Sequence, residues 1–229
     1  RDRSVSRGLG DVYKRQLNKL LDILSQLLDF ERIDHSSMSP KMEAVPLKQN
    51  IDNLFTIFQP LCQQQQKTLQ ASSIDCQLGV WADSKLLDRI LTNLLSNALK
   101  YTPAGGKISI DVKAEADKVQ IIVSDTGIGI SPKEQKKLFT SFFRASNAIS
   151  SGTPGIGLGL LQAKRFATLL KGDIKVNSIV NQGSEFMLIL NKAAVTASAV
   201  PTATPITKDF TTTENTTLCD SDKDTLLIV

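Results

Sequence analysis

The stretch Ile90–Thr102, ILTNLLSNALKYT, constrains the fold of this chain more than any other. Leu87, Ile90, Leu91, Leu94, Leu95 and Ala98 recur at helical spacing and form a broad apolar stripe, which demands a helix buried along one side. Asn93, Asn97 and Lys100 follow at i, i+4 and i+7. At 100° per residue they share an arc of roughly 60°, about a third of a turn from the stripe. Two amides and an ammonium therefore line one edge of a buried helix. An amide oxygen can bind a hard cation such as Mg²⁺, and Lys can neutralise phosphate. The competing reading is an ordinary solvated face that happens to carry two Asn.

Charge narrows the classes of partner. The formal net charge is +4, but residues 1–16 (RDRSVSRGLGDVYKRQ) account for +3 of it, leaving +1 for the remainder. That leaves no basic field for nucleic acid. No segment approaches the roughly 18 apolar residues of a membrane span, and no signal-peptide pattern is present. A soluble, cytoplasmic piece is the expectation. Cys62, Cys76 and Cys219 are odd in number and not at metal-binding spacing, which fits a reducing compartment. Cys62 and Cys76 read as buried, inert thiols. At 41% hydrophobic over 229 residues, the chain can bury one good core and a small second element.

Residues 1–16 show no hydrophobic period and read as a disordered or extraneous lead. Leu17–Ile33 is a strongly amphipathic helix that cannot bury its own face and needs a bundle or a dimer. His35, the only histidine, sits in DHSSMSP, where that helix ends among Ser and Pro. Met42–Leu47 reads as a short edge strand. Leu47–Gln66 reads as a helix with Ile51, Leu54, Phe55, Phe58 and Leu61 inside, kinked or ended early by Pro60. Thr68–Ile74 and Gln77–Ala82 read as strands, the second placing Trp81 in the core. Asp83 or Ser84 can cap the central helix. Lys107–Ala114 and Val119–Ser124 alternate as an antiparallel hairpin. Ser131–Phe139 is a short helix with Pro132 in its first turn. Ala145–Thr153 is a small, polar, mobile loop. Ile156–Leu170 is a helix ending at Gly172, and Asp173–Asn177 and Ser184–Leu190 are closing strands. Ala193–Thr217 has linker composition, and Asp224–Val229 (DTLLIV) reads as the first strand of a further domain.

Two glycine-rich runs remain. Asp125-Thr-Gly-Ile-Gly-Ile130 follows directly on a strand. Its carboxylate can accept a hydrogen bond from an exocyclic amine, or the run is a plain turn with an Asp cap. Gly152-Thr-Pro-Gly-Ile-Gly-Leu-Gly-Leu160 opens a helix, so free backbone N–H groups and the positive end of the dipole face an anion. No Lys-Ser/Thr follows, which excludes a P-loop, and the strand and acidic residue of a dinucleotide fingerprint are misplaced. LFTSFFR (Leu138–Arg144) lies between the runs. Its Phe139, Phe142 and Phe143 are either core residues or an apolar latch for the loop that follows.

Taken in order, these stretches resemble the ATP-binding domain of sensor histidine kinases: NLLSNALKYT the N box, DTGIGI the first glycine box, LFTSFFR the F box, GTPGIGLGL the second glycine box and QGSEFMLIL the last box. The likeness covers about residues 42–191, and Leu17–Met38 is similar to the second helix of the family's dimerisation hairpin. It implies a two-layer α/β sandwich, with a mixed sheet covered on one face by three helices, preceded by one dimerisation helix. It further implies a linker over residues 192–222 and the start of a receiver domain at 223–229, as in a hybrid kinase. By motif, Asn97 would ligate Mg²⁺, Asn93 would support metal and phosphates, and Lys100 would contact phosphate. Tyr101 would pack on adenine or ribose, and Asp125 would accept the adenine amine. Gly127 and Gly129 would make room for the ring, and Ser184 would lie near it. Gly155, Gly157 and Gly159 would present N–H groups to the phosphates. Phe139, Phe142 and Arg144 would position a lid over ATP, Arg144–Thr153.

The resemblance also implies partners: the dimerisation histidine domain of the same protein, a homodimer in the full-length kinase anchored in the inner membrane, and a receiver domain or response regulator. Gyrase-type and chaperone relatives carry Glu one turn before the Mg²⁺ Asn, as the base that activates water. Here that position is Asn93, and a neutral amide cannot take a proton, so hydrolysis should be slow. The family's acceptor motif, a His followed by an acidic residue, does not occur. His35 is followed by Ser36 and Ser37 and lies at the wrong end of the hairpin. The expectation is a catalytic domain acting on a histidine outside this chain. Its rivals are a nucleotide-sensing module without transfer and a related serine kinase acting on a partner protein.

Overall fold

In the computed structural model, which describes residues 39–150 and 156–195, the alternating segments pair as seven strands around one strand near the end of the chain. The elements run β1 (Glu43–Pro46), α1 (Leu47–Gln64), β2 (Thr68–Ala71), β3 (Leu78–Ala82), α2 (Ser84–Tyr101), β4 (Lys107–Ala114) and β5 (Lys118–Asp125). They continue with α3 (Pro132–Gln135), α4 (Ser146–Ser150), α5 (Gly159–Leu169), β6 (Asp173–Ile179) and β7 (Gly183–Ala194). The strand order is β1-β3-β7-β5-β4-β2, with β6 also on β7. Only the β2–β4 pair is parallel; every other pairing in this sheet is antiparallel. The helix of residues 17–33, His35, the lead, and the linker and receiver readings lie outside the described residues.

Side-chain alternation assigns the two faces. Val119, Ile121 and Val123 on β5 are buried and stand in register with Leu190, Leu188 and Phe186 on β7. Val123 and Ile121 also pair with Ile110 and Val112 on β4. The long helices α1, α2 and α5 pack on this face, with α2 in contact with both others. The same register continues outward from the core to Asp125, paired with Ser184, itself paired with Ser178. The buried face of the sheet thus ends in a polar margin.

The central helix forms as its pattern requires. Asp83 caps it, with Oδ1 accepting Leu86 N–H at 3.1 Å while Oδ2 accepts Lys41 N–H at 2.8 Å. Leu87, Ile90, Leu91, Leu94 and Leu95 are essentially inaccessible. At its C-terminus the Thr102 hydroxyl donates to Ala98 O at 2.7 Å.

Several local expectations change. Pro60 sits inside α1, which continues to Gln64, and its inward position in the last turn is Cys62, while Leu61 is exposed. Trp81 is 47% exposed, because β3 presents Val80 and Ala82 to the helices and so turns Trp81 to the opposite face. Cys76 is exposed and only Cys62 is buried. The helix expected over 131–139 lasts one turn, α3, and α5 begins at Gly159 rather than Ile156. The left-handed residue after α5 is Lys171, at φ 56°, so Gly172 follows the stop rather than forming it. The loop expected from Ala145 opens instead with the short helix α4. Finally, β7 runs through Ala193 and Ala194, which pair with Gly79 and Leu78; their composition alone had placed them in the linker.

Candidate functional site

Helix α2, the polar margin of the sheet and the N-terminus of α5 enclose a cavity of about 340 Å³. Asn93, Asn97, Lys100 and Tyr101 line it from α2, Asp125 and Ser184 from the sheet, and Gly129 from the turn after β5. Gly157 and Gly159 line it from the start of α5, and Arg144 from the segment before α4. The helical arithmetic holds in space: the three polar α2 residues all open onto this one cavity. Lys100 Nζ lies 4.9 Å from the Tyr101 ring centroid, which keeps the ammonium next to an aromatic face.

Asp125 is the electrostatic centre of the sheet side. Desolvation by burial pushes its carboxyl up to about 6, against the pull of hydrogen bonds from the Gly127 and Ser184 N–H groups. The Gly127 bond is 2.8 Å at Oδ1. Behind it, the Ser178 hydroxyl donates to Gly183 O at 2.8 Å and accepts Ile130 N–H at 2.8 Å. With its one proton so used, Ser178 Oγ accepts from Ser184 Oγ at 3.0 Å.

The glycines admit close backbone neighbours. A Cβ at Gly127 would stand 2.5 Å from Tyr101 O, and one at Gly129, at φ 63°, would stand 2.0 Å from Ile179 O. The space they leave is filled by this chain's own backbone, which lets the end of α2 and the β6–β7 turn close on the strand end carrying Asp125. Gly127 does not line the cavity. Gly157, at φ 82°, makes the same kind of approach to Phe143 O, while a Cβ at Gly159 would lie 3.2 Å from Asn93 Oδ1. The start of α5 is therefore pressed against the amide edge of α2. Its first N–H groups have no partner within the helix.

Of the aromatic residues between the glycine runs, Phe139 is half-buried with Lys164 Nζ 5.0 Å from its ring, and Phe142 is 62% exposed at φ 59°. Neither lines the cavity; Phe143 does. Gly155 lies outside the described residues. Asn147, Ala145 and Ala148, inside the span read as a lid but not singled out there, also line the cavity. Small and polar residues in a low-period stretch gave no signal for them. Phe186, at the cavity floor, was legible only as a strand residue.

Residues 82–194 match the family described as Histidine kinase-, DNA gyrase B-, and HSP90-like ATPase. These residues form a domain of that family. The chain is 35% identical over 190 residues to the sensor histidine kinase GacS of Pseudomonas protegens, covering 80% of this chain and 20% of that protein. It is 32% identical over 186 residues to the autoinducer 2 sensor kinase/phosphatase LuxQ of Vibrio vulnificus, covering 78% of this chain and 22% of that protein. The chain thus spans about a fifth of the length of these relatives. Its fold is similar to that of full-length ShkA, solved in complex with AMPPNP, at TM-score 0.71 and 23% identity over 83% of this chain and 40% of that one. No helix of the ATPase domain among the described residues is long and apolar enough to cross a membrane.

Proposed function

We propose that the cavity binds Mg·ATP and that the domain transfers its γ-phosphoryl group to a histidine on a dimerisation helix outside this chain. The observation that carries this reading is the convergence of the α2 amide edge, the buried Asp125 carboxyl and the start of α5 on one cavity. Asp125 would accept the adenine amine and Tyr101 would pack beside the base or ribose. Lys100 and the N–H groups at Gly157 and Gly159 would face the phosphates.

The donor set suits Mg²⁺ as a guest of the nucleotide. Asn93 and Asn97 offer amide oxygens, and no group of three or more His, Cys, Asp or Glu side chains among the described residues could form a protein cage. Mg²⁺ binds through few protein ligands when phosphates supply the rest. Asn97 would hold it, supported by Asn93, and it would neutralise charge on the transferring group. In the transfer, an imidazole nitrogen attacks the γ-phosphorus in line and the bond to the β–γ bridging oxygen breaks, releasing ADP. Lys100 and the α5 amides stabilise the charge that builds on the phosphates. Asn93 cannot accept a proton from water, so transfer dominates over hydrolysis. In the whole protein the partners are a second copy through the dimerisation helices and a receiver domain or response regulator.

The deciding experiment follows the label of γ-³²P Mg·ATP, with the chain alone and with a dimerisation domain carrying an acceptor histidine. Acid-labile label on the added domain, absent with Asp125→Asn, is the expected result. Label released chiefly as free phosphate would make the domain an ATPase and refute the Asn93 argument. Saturable binding without transfer would make it a nucleotide-sensing module.

A further inference from the structure

Part of the cavity wall is built by a short segment that cannot hold its own shape. Helix α4 has five residues, too few to be stable alone, yet it carries the buried wall residues Ala145 and Ala148 at its edge and in its body. Side-chain hydrogen bonds hold this segment, among them Arg144 Nη2 donating to Ala148 O at 3.4 Å. Glu134, on α3, accepts both Ser146 N–H at 2.7 Å and Ser146 Oγ–H at 2.8 Å on Oε1. Its other oxygen accepts Ser131 Oγ–H at 2.6 Å. Asn147 Nδ2 donates to Gly129 O at 2.7 Å, in the turn beside Asp125. The support is itself anchored: Gln135 Nε2 donates to Ile130 O at 2.9 Å and Ser178 O at 2.7 Å, tying α3 to the sheet margin.

We propose that Glu134 is a positioning residue which, through Ser146 and together with Asn147, clasps the first turn of α4 to the rigid domain and so sets the outer wall of the nucleotide cavity. Glu134 itself does not line the cavity; it governs affinity through where Ala145 and Ala148 stand. Because three donors converge on it, its carboxyl is held down to about 2, and the clasp stays charged throughout the physiological range. The inference rests on the reading that the cavity takes Mg·ATP.

The test uses the full chain and compares wild type with Glu134→Ala, Glu134→Gln and Asn147→Ala. Mg·ATP affinity is measured by calorimetry, and amide hydrogen exchange is followed at Ser146–Ala148 and, as reference, on α2 and β5. Glu134→Ala should weaken binding about tenfold and speed exchange at Ser146–Ala148 while leaving α2 and β5 protected. Glu134→Gln keeps an acceptor for Ser146 N–H and should recover most of that loss. In the phosphotransfer assay the change should fall on KM for ATP, with kcat within about twofold of wild type. Unaltered exchange at Ser146–Ala148 in Glu134→Ala overturns the clasp, and so does unaltered affinity in a wild type that binds ATP. Should Glu134→Ala fail to fold, Asn147→Ala, which leaves α3 intact, is held to the same two readouts. A wild type that does not bind Mg·ATP refutes the nucleotide reading, while exchange still decides the clasp.

Discussion

Burial that lifts the Asp125 carboxyl from near 3.8 to about 6 makes the residue a burden on the empty domain. The native state holds the proton more tightly than the unfolded chain does, so the penalty is complete above pH 6 and gone below 3.8. At pH 7.5 the gap corresponds to about 2–3 kcal/mol at most. Asp125→Asn should therefore raise the Tm of the ligand-free protein at pH 7.5, with the gain fading as pH falls toward 4. The same substitution should abolish Mg·ATP binding, so thermal scans with and without nucleotide give opposite rankings of the two proteins. A Tm lowered at pH 7.5 would contradict the desolvation account. Asp125 was legible as a carboxylate on a strand end beside glycines, and Ser184 through the resemblance, but their pairing in register was not, because pairing across distant strands leaves no mark on local pattern. The glycines were legible as necessary, but the backbone neighbours they admit, Tyr101 O and Ile179 O, were not, both being remote in sequence. Trp81, Leu61 and Cys76 failed similarly, since apolar character predicts burial only when the face is known.

Helix α2 shows what an element can reveal by itself. Its stripe, its Asp83 cap and its polar edge all follow from periodicity and cap chemistry, and all appear in the fold. Leu94 is wholly inaccessible and Thr92, two residues away, is exposed. Leu94→Ala should cost about 3–5 kcal/mol in chemical denaturation, and Thr92→Ala should stay within about 0.5 kcal/mol. Equal effects would mean that the helix is not packed as described. Elements without such periodicity were read less well. The stretch 131–139 has a good start in Ser131 and Pro132 but no second turn of apolar spacing, and it ends as the single turn α3. Helix α4 is tied by Glu134 and by the bond from its own Asn147 to Gly129 O, both to segments that no window of its own sequence could reveal.

The molecule as a whole is organised by β7, which pairs with β5 along one edge and with β6 and β3 along the other. Amides of β5 and β7 should accordingly exchange last, and those of β1 and β2, at the two ends of the sheet, first. Hydrogen exchange with mass spectrometry checks this ordering; a β1 as protected as β7 would contradict it. The two-layer architecture was legible from the order of motifs, whereas the edge positions of β1 and β2 depended on pairings between distant segments. That central strand also has a consequence during biosynthesis. Strands β3 and β5, and with them Asp125, emerge from the ribosome long before Ser184 and the rest of β7. At about 5–20 residues per second, the hundred or so residues between β3 and β7 take roughly 5–20 s to synthesise. Until β7 arrives, β3 and then β5 have an unpaired edge, and the nascent chain comes to hold all of α2 but no cavity. The domain becomes competent only in the last stretch of its translation, and until then its exposed strand edges are a natural substrate for chaperones.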